Sequence, residues 1–453
     1  MPTDHTLRVY DSIIGLLSSE ENPTPLVRLN RVIPFQHAQV FAKLEWYNPF
    51  GAVKDRIAAN MIQDAEQRGL LGPGKKLVEA TSGNTGFGLA MLGNAKGYPL
   101  RTPLSAAIPP EKRSALRIFG SEVVELDDTL CPAPGAPEGA IARAMETART
   151  EPEYVLLNQY ENEANPGGHY RTTGPEIWRQ TAQKVTHFVA GLGTCGTITG
   201  TGRFLKEQRS GIRVIGVYPE EGHDIPGVRS ARQLQQTKLY CPEEYDATIE
   251  VTNRESFEMC LRLNREESII AGPSSGMALV GGLGTIPDEP GTLAVVIFPD
   301  NVFKYVTSLQ RHFPSVRPGG EGNDRAETGK NDGFLASMIE NLKNPYDTIP
   351  PDELNRTLLE PDHPLVVDIR SAELYGQSHI AGSVNVPMEE LETRRAELPP
   401  DRDAPIVMVC GIGKFSKNWT LYLKSMGYRQ VRSLKGGVNE WIRKGHATES
   451  TAS

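Results

Sequence analysis

Three stretches of this sequence share one plan. In "VFAKLEWYNPFGAVKDRIA", "KLVEATSGNTG" and "THFVAGLGTCGTITGTGRFLKEQ" a short apolar run enters a glycine-bearing turn that opens a helical pattern. Ile57, Met61 and Ala65 in the first stretch fall at helical spacing. "IRVIGVYP" and "LAVVIFPD" are further short apolar runs suited to buried parallel strands. Strands alternating with helices imply an α/β domain whose functional loops follow the strand ends.

The chain has 453 residues, and about two to four domains are expected of that length. "PSVRPGGEGNDRAETGKNDG", residues 314 to 333, is rich in Gly, Pro and charge and reads as a linker. Beyond it the pattern restarts on a smaller scale: "PLVVDIR", "PIVMVC" and "QVRSLKGG" read as strands, "NWTLYLKSMGY" and "NEWIRK" as helices. The expected organisation is a domain over 8–313, a linker over 314–343 and a small α/β domain over 344–447. Net charge is -8 with no long basic run, which argues against nucleic-acid or acidic-membrane binding. No stretch approaches the ~20 apolar residues of a membrane span. The start lacks the basic and apolar regions of a secretion signal. Five scattered cysteines suggest neither a disulfide framework nor a metal cluster, so a reducing cytoplasm is expected.

Lys54 stands where the "NPFGA" turn meets a helix. Taken alone it is either a solvated lysine or one desolvated at a strand end, able to form a Schiff base. "TSGNTG", residues 81 to 86, offers backbone N–H groups, hydroxyls and the Asn84 amide; it suits a carboxylate, or is an ordinary helix start. "GLGTCGTITG", residues 191 to 200, can cradle a phosphate on backbone donors and the Thr194 and Thr197 hydroxyls. It has neither the Walker nor the dinucleotide spacing. "AGPSSGMAL", residues 271 to 279, is a further small-residue turn.

In this order the four motifs resemble the fold-type II pyridoxal-phosphate enzymes, specifically the cysteine synthase and cystathionine β-synthase family, over roughly residues 8 to 312. "NPTPLVRLN" and "NQYENEANPGGHYRTTGPEIW" extend the match. The resemblance implies two α/β subdomains of the tryptophan synthase β-like kind. It makes Lys54 the Schiff-base lysine and general base, with Asn84 at the ring hydroxyl of pyridoxal 5'-phosphate. Gly193, Thr194, Cys195, Gly196 and Thr197 would hold the phosphate and Ser274 the pyridine nitrogen. Thr81, Ser82, Thr85 and Gln159 would bind the substrate carboxylate. A neutral serine does not enforce pyridine protonation, so the ring is a weaker electron sink, suited to quick loss of a β-leaving group. Cys195 stands where the family often has Gly; a side chain there is strained only if the backbone needs positive φ. A redox role for Cys195 is the alternative. In "EGHDIPGVRS", where the family varies by substrate, His223 and Arg229 are surface residues or, for Arg229, a partner for a phosphate leaving group.

The back domain carries "DIR", "HIAGS", "VMVCGIGKFS" and "LKGGVNEW" in order and resembles the rhodanese domain over roughly 344 to 446. That family's cysteine, here Cys410, takes sulfane sulfur as a persulfide inside a loop of N–H groups that Gly411 and Gly413 let curl. Active loops often carry an arginine where this chain has Phe415, with Lys414 beside it. The alternative is an interaction module with an inert thiol. Together the resemblances imply cysteine formation from O-acetylserine or O-phosphoserine and sulfide, with a tethered sulfur-transfer domain. Cysteine desulfhydration or cystathionine synthesis on the same site, with the back domain as a docking module, is the second implication. The expected partners are an amino-acid substrate, a sulfur donor, a second copy in a homodimer and a sulfur-carrier protein.

Overall fold

The structure is a computed structural model that describes residues 9–105, 110–126, 139–313, 316, 348–388, 390, 394, 397–413, 415–425 and 428–450. Apart from Val316, the expected linker lies outside the described residues, as do Cys131 and Lys414. The chain divides into two compact units, Met1–Leu335 and Ala336–Ser453.

The first unit holds two sheets. The larger joins β1 (Leu26–Arg28), β2 (Gln39–Leu44), β7 (His187–Gly191), β8 (Arg213–Pro219), β9 (Ala247–Val251) and β10 (Leu293–Phe298) in the order β1-β2-β10-β7-β8-β9. Only the β1–β2 edge pair is antiparallel. The smaller is parallel, with β3 (Lys76–Val78), β4 (Leu100–Ser105), β5 (Glu122–Leu126) and β6 (Tyr154–Leu156) in the order β5-β4-β3-β6. The run "LAVVIF" of β10 is apolar throughout because helices cover both faces, and five of its six residues are buried. Each such side chain contributes about 1.5–3 kcal/mol.

The functional loops lead into helices α1 (Lys54–Gln67), α2 (Asn84–Lys96), α3 (Pro110–Ile118), α4 (Gly139–Thr150), α5 (Ala164–Arg171), α6 (Thr173–Gln180) and α7 (Gly196–Gln208). Further along come α8 (Ala231–Leu234), α9 (Asn253–Glu266), α10 (Pro273–Leu283) and α11 (Val306–His312). The head of α1 is anchored by a buried ion network. Arg56 donates to Glu45 at 2.7 Å and to Glu176 at 2.6 Å, and Lys43 donates to Glu176 at 2.6 Å. Burial opposes these charges. The partners outweigh it at Glu45, held down at about 2, and at the Arg56 guanidinium, pushed up, whereas burial prevails at Lys43 and lowers its ammonium. Removing one partner of such a network costs several kcal/mol, typically about 3–5.

The second unit has a parallel sheet ordered β11-β16-β15-β12-β14. Its strands are β11 (Thr348–Ile349), β12 (Leu365–Asp368), β14 (Val384–Asn385), β15 (Ile406–Val409) and β16 (Val431–Leu434). β13 (His379–Ile380) and β17 (Thr448–Glu449) form a separate antiparallel pair. Its helices are α12 (Pro351–Thr357), α13 (Ala372–Gln377), α14 (Phe415–Ser425) and α15 (Gly437–Arg443). Among the described residues, no helix is long and apolar enough to cross a membrane.

Candidate active site

A cavity of 540 Å3 opens among the strand-end loops of both sheets of the first unit. Every residue expected at the cofactor and substrate sites lines it except Gly196, which begins α7. Lys54, the first residue of α1, puts Nζ 3.1 Å from Thr194 Oγ1. Burial, aided by the nearby Arg229 cation, lowers this ammonium to about 8. Of the two readings of Lys54, the solvated lysine is disfavoured by this burial; the residue stands at the head of α1 rather than directly at a strand end.

The loop after β7 is shaped by close approach. A Cβ at Gly193 would meet the Gly227 carbonyl oxygen at 2.4 Å, and one at Gly196 would meet Asn165 Oδ1 at 1.8 Å. The Thr194 hydroxyl accepts from Asn165 Nδ2 at 3.0 Å as well as from Lys54. Thr197 Oγ1 lies 3.1 Å from His169 Nε2, whose ring also meets Thr173 Oγ1 through Nδ1 at 2.8 Å. Burial lowers His169 to about 3, so its ring is neutral at physiological pH and fixes Thr197 without charge. A narrow loop of N–H and hydroxyl donors at the N-terminus of a 13-residue helix fits the phosphate of pyridoxal phosphate.

At Cys195 the backbone decides between the strained and unstrained readings. A side chain there is harmless if the loop needs no positive φ, but φ is 66° and ψ is -4°. The left-handed conformation costs roughly 1–2 kcal/mol for a residue with a Cβ. The sulfur lies 3.8 Å from the Gly193 carbonyl oxygen and is also hydrogen-bonded with the Tyr245 side chain. Burial pushes this thiol up to about 12, which disfavours thiolate chemistry.

The "TSGNTG" loop caps α2. Thr85 Oγ1 donates to Gln159 Oε1 at 2.7 Å, and the Thr81 hydroxyl accepts from the Gly86 N–H at 3.1 Å. Ser82 lies between them, partly exposed. Gln159 follows a strained residue, Asn158, at φ 54°. Buried Glu79 accepts from both their N–H groups, at 2.9 and 3.2 Å, and burial raises it to about 7. Asn84, expected at a ring hydroxyl, is held by protein groups in this structure. Its Nδ2 donates to Asp300 Oδ2 at 2.5 Å and its Oδ1 accepts from Lys304 Nζ at 2.8 Å. Tyr305 also donates to Asp300 Oδ2. Ser274, the second residue of α10, is buried on the cavity wall. Arg229 lines the cavity as well, but its guanidinium donates to the Gln233 carbonyl at 3.2 Å and stacks 4.4 Å from the Tyr160 ring centroid.

In the second unit, Cys410 follows β15 and is only 2% exposed. Ser416 Oγ donates to its sulfur at 3.3 Å, and the Ser433 hydroxyl lies 2.9 Å from Ser416 Oγ. The Cys410 carbonyl accepts from the Val438 N–H at 2.9 Å. A Cβ at Gly437 would meet that carbonyl oxygen at 2.2 Å, so only glycine lets the two loops close. Phe415 begins α14. Asp368 and Arg370 of the "DIR" element form a 2.7 Å ion pair, and Arg370 also donates to the Ser378 carbonyl at 2.6 Å, closing that loop on itself.

Residues 17–300 match the family profile described as "Pyridoxal-phosphate dependent enzyme", more than half of the chain. The chain belongs to the pyridoxal-phosphate dependent enzyme family. Its cofactor is pyridoxal phosphate. Residues 350–444 match the rhodanese-like domain. Among curated relatives of this pyridoxal-phosphate dependent enzyme is cysteine synthase B of Salmonella typhimurium, 40% identical over 286 residues, 63% of this chain and 92% of the relative. Cysteine synthase B of Escherichia coli is 40% identical over 285 residues, again 92% of its length. Among solved structures, a hydrogen sulfide-producing enzyme from Fusobacterium nucleatum aligns with TM-score 0.60 at 32% identity, covering 66% of this chain and 98% of that one. A cysteine synthase from Entamoeba histolytica aligns with TM-score 0.63 at 28% identity, covering 74% and 96%.

Sequence reasoning missed Asn165, His169, Glu79, Asp300, Lys304 and Ser416. The first two lie inside "NQYENEANPGGHYRTTGPEIW", where polar side chains at positions later buried were the available signal. Ser416 closes the quoted "VMVCGIGKFS" stretch, six residues from Cys410, whereas Glu79, Asp300 and Lys304 offered no local signal because the fold brings in their partners.

Proposed function

We propose that the protein forms L-cysteine by β-replacement on O-acetylserine or O-phosphoserine with sulfide. The observation that carries the reading is Lys54: a buried amine lowered to about 8, beside Thr194 and in one cavity with the carboxylate-binding loop. Pyridoxal phosphate supplies the electron sink for loss of the β-substituent. Gly193, Thr194, Cys195, Gly196 and Thr197 would hold its phosphate, Ser274 would meet its ring nitrogen, and Asn84 would bind its ring hydroxyl. Thr81, Ser82, Thr85 and Gln159 orient the amino-acid carboxylate with neutral donors. Lys54 Nζ moves the α-proton as general base. The cysteine synthase relatives support this reading.

In the second unit Cys410 accepts sulfane sulfur from a persulfide or thiosulfate-type donor. The donor's S–S bond breaks as the Cys410 S–S bond forms. Two equivalents of a small thiol then release the sulfur as sulfide and leave as a disulfide. The Ser416 hydroxyl aimed at the sulfur supports this role.

The test is stopped-flow absorbance of the bound cofactor on mixing with O-acetylserine, O-phosphoserine or cysteine. A rapid spectral change with a serine ester, and product cysteine once sulfide is added, is expected. Response to cysteine alone favours the second reading, desulfhydration, which the hydrogen sulfide-producing neighbour supports. A Lys54→Ala protein that retains the wild-type cofactor band would overturn both. The near-complete burial of Cys410 favours a docking role for the second unit as the alternative to sulfur transfer. Under that alternative, Cys410→Ser leaves sulfur-donor use unchanged.

A further inference from the structure

Among the described residues, four cationic side chains line the cavity: Lys54, Lys112, Arg229 and Lys304. Three are held by protein groups. Lys54 donates to Thr194, Arg229 to the Gln233 carbonyl, and Lys304 Nζ to the Gly51 carbonyl and Asn84 Oδ1, both at 2.8 Å. Lys112 differs. Among the described residues it has no hydrogen bond and no ion pair, and its ammonium only faces the Tyr305 ring, 6.0 Å from the centroid.

Its position is unfavourable without a ligand. Lys112 stands in the first turn of α3, where the helix field opposes a cation. Burial lowers its ammonium, against the pull of Asp300 and Glu111. Neither carboxylate pairs with it. Asp300 Oδ2 is taken by Asn84 and Tyr305, its buried Oδ1 has no hydrogen-bond partner and makes no ion pair with Lys112, and Glu111 lies exposed at the start of the helix. A cation held in a binding cavity without a counter-ion is a receptor for an anion that the ligand brings.

The anions already assigned have other receptors: the cofactor phosphate has the α7 loop, and the substrate α-carboxylate has the α2 loop with Gln159. We propose that Lys112 is a specificity-determining residue that binds a second anionic group, phosphate or carboxylate, carried by the β-leaving group or by the thiol nucleophile. This rests on the β-replacement reading above.

Two matched pairs test it with the holoenzyme. The donor pair is O-phosphoserine against O-acetylserine, each with sulfide. The nucleophile pair is 3-mercaptopropionate against 2-mercaptoethanol, each with O-acetylserine. Lys112→Gln is expected to lower kcat/KM for the anionic member of one pair roughly ten- to a hundredfold more than for the neutral member. The loss falls on KM rather than kcat, and Lys112→Arg restores most of it. The affected pair says which substrate carries the group. Equal losses within both pairs, or no loss, would overturn the proposal and leave the β-replacement reading standing. A wild-type protein that turns over neither serine ester would overturn both.

Discussion

Two loops of this protein are built alike and end up chemically opposite. Cys195 lies beyond β7 and Cys410 beyond β15; each precedes a helix, and they are 3% and 2% exposed. Cys195 takes a left-handed backbone, and its sulfur lies against the Gly193 carbonyl oxygen as well as the Tyr245 hydroxyl, with burial outweighing that donor and keeping the thiol protonated. Cys410 faces a hydroxyl donor, Ser416, itself bonded to Ser433. Residue type and burial are the same and a hydroxyl reaches each sulfur; the left-handed backbone and the carbonyl contact are found at Cys195 alone of the two.

The comparison can be broken most plainly by serine substitution. Cys410→Ser is expected to reduce sulfur transfer from thiosulfate to background, measured as thiocyanate formed from cyanide, while sulfide-dependent product formation persists. If Cys195→Ser does this instead, the assignment of roles is reversed. Gly196→Ala drives a Cβ toward Asn165 Oδ1 at 1.8 Å and is expected to weaken cofactor retention roughly ten- to a hundredfold. Titration of the apo-protein with pyridoxal phosphate checks this, and wild-type affinity would remove the cradle argument. Ser416→Ala deletes one hydrogen bond worth about 1 kcal/mol, so the sulfur-transfer rate should fall about fivefold. An unchanged rate would return Cys410 to the inert class.

Smaller effects sharpen the picture. Uptake of pyridoxal phosphate by the apo-protein needs the neutral Lys54 amine. Its rate should rise with pH through about 8, where the lowered ammonium loses its proton. Arg229→Ala removes a cation that lowers this value, so the midpoint should move to higher pH. A flat rate profile from pH 6 to 10 contradicts the assignment. The smallest change is expected for Cys195→Gly. Relief of about 1–2 kcal/mol of left-handed strain is offset by glycine's added chain entropy, about 0.5–1 kcal/mol, and by lost thiol packing. Chemical denaturation should show stability within about 1 kcal/mol of wild type, with the cofactor still bound.

Much of this was legible before any coordinates. Alternating apolar runs and glycine turns correspond to β2–α1, β3–α2 and β7–α7, and Lys54 does begin a helix. The small strands β11, β13, β14 and β17 were not read, because each has only two residues and carries no periodicity. Asn84 was recognised, but its grip by Asp300 and Lys304 was not, since those partners lie 216 and 220 residues away.

Alone, the sequence determined what each loop contains: a lysine after a turn, hydroxyls and amides between glycines, a cysteine after a buried strand. Those are local facts, written in neighbouring residues and in the period of the apolar pattern. Only the tertiary structure decided which atoms those groups face. It set Thr194 against Lys54, a carbonyl against Cys195, a hydroxyl against Cys410, and an aromatic ring against Lys112. Charge, proton affinity and reactivity follow from neighbours in space, and chain order does not encode them one residue at a time.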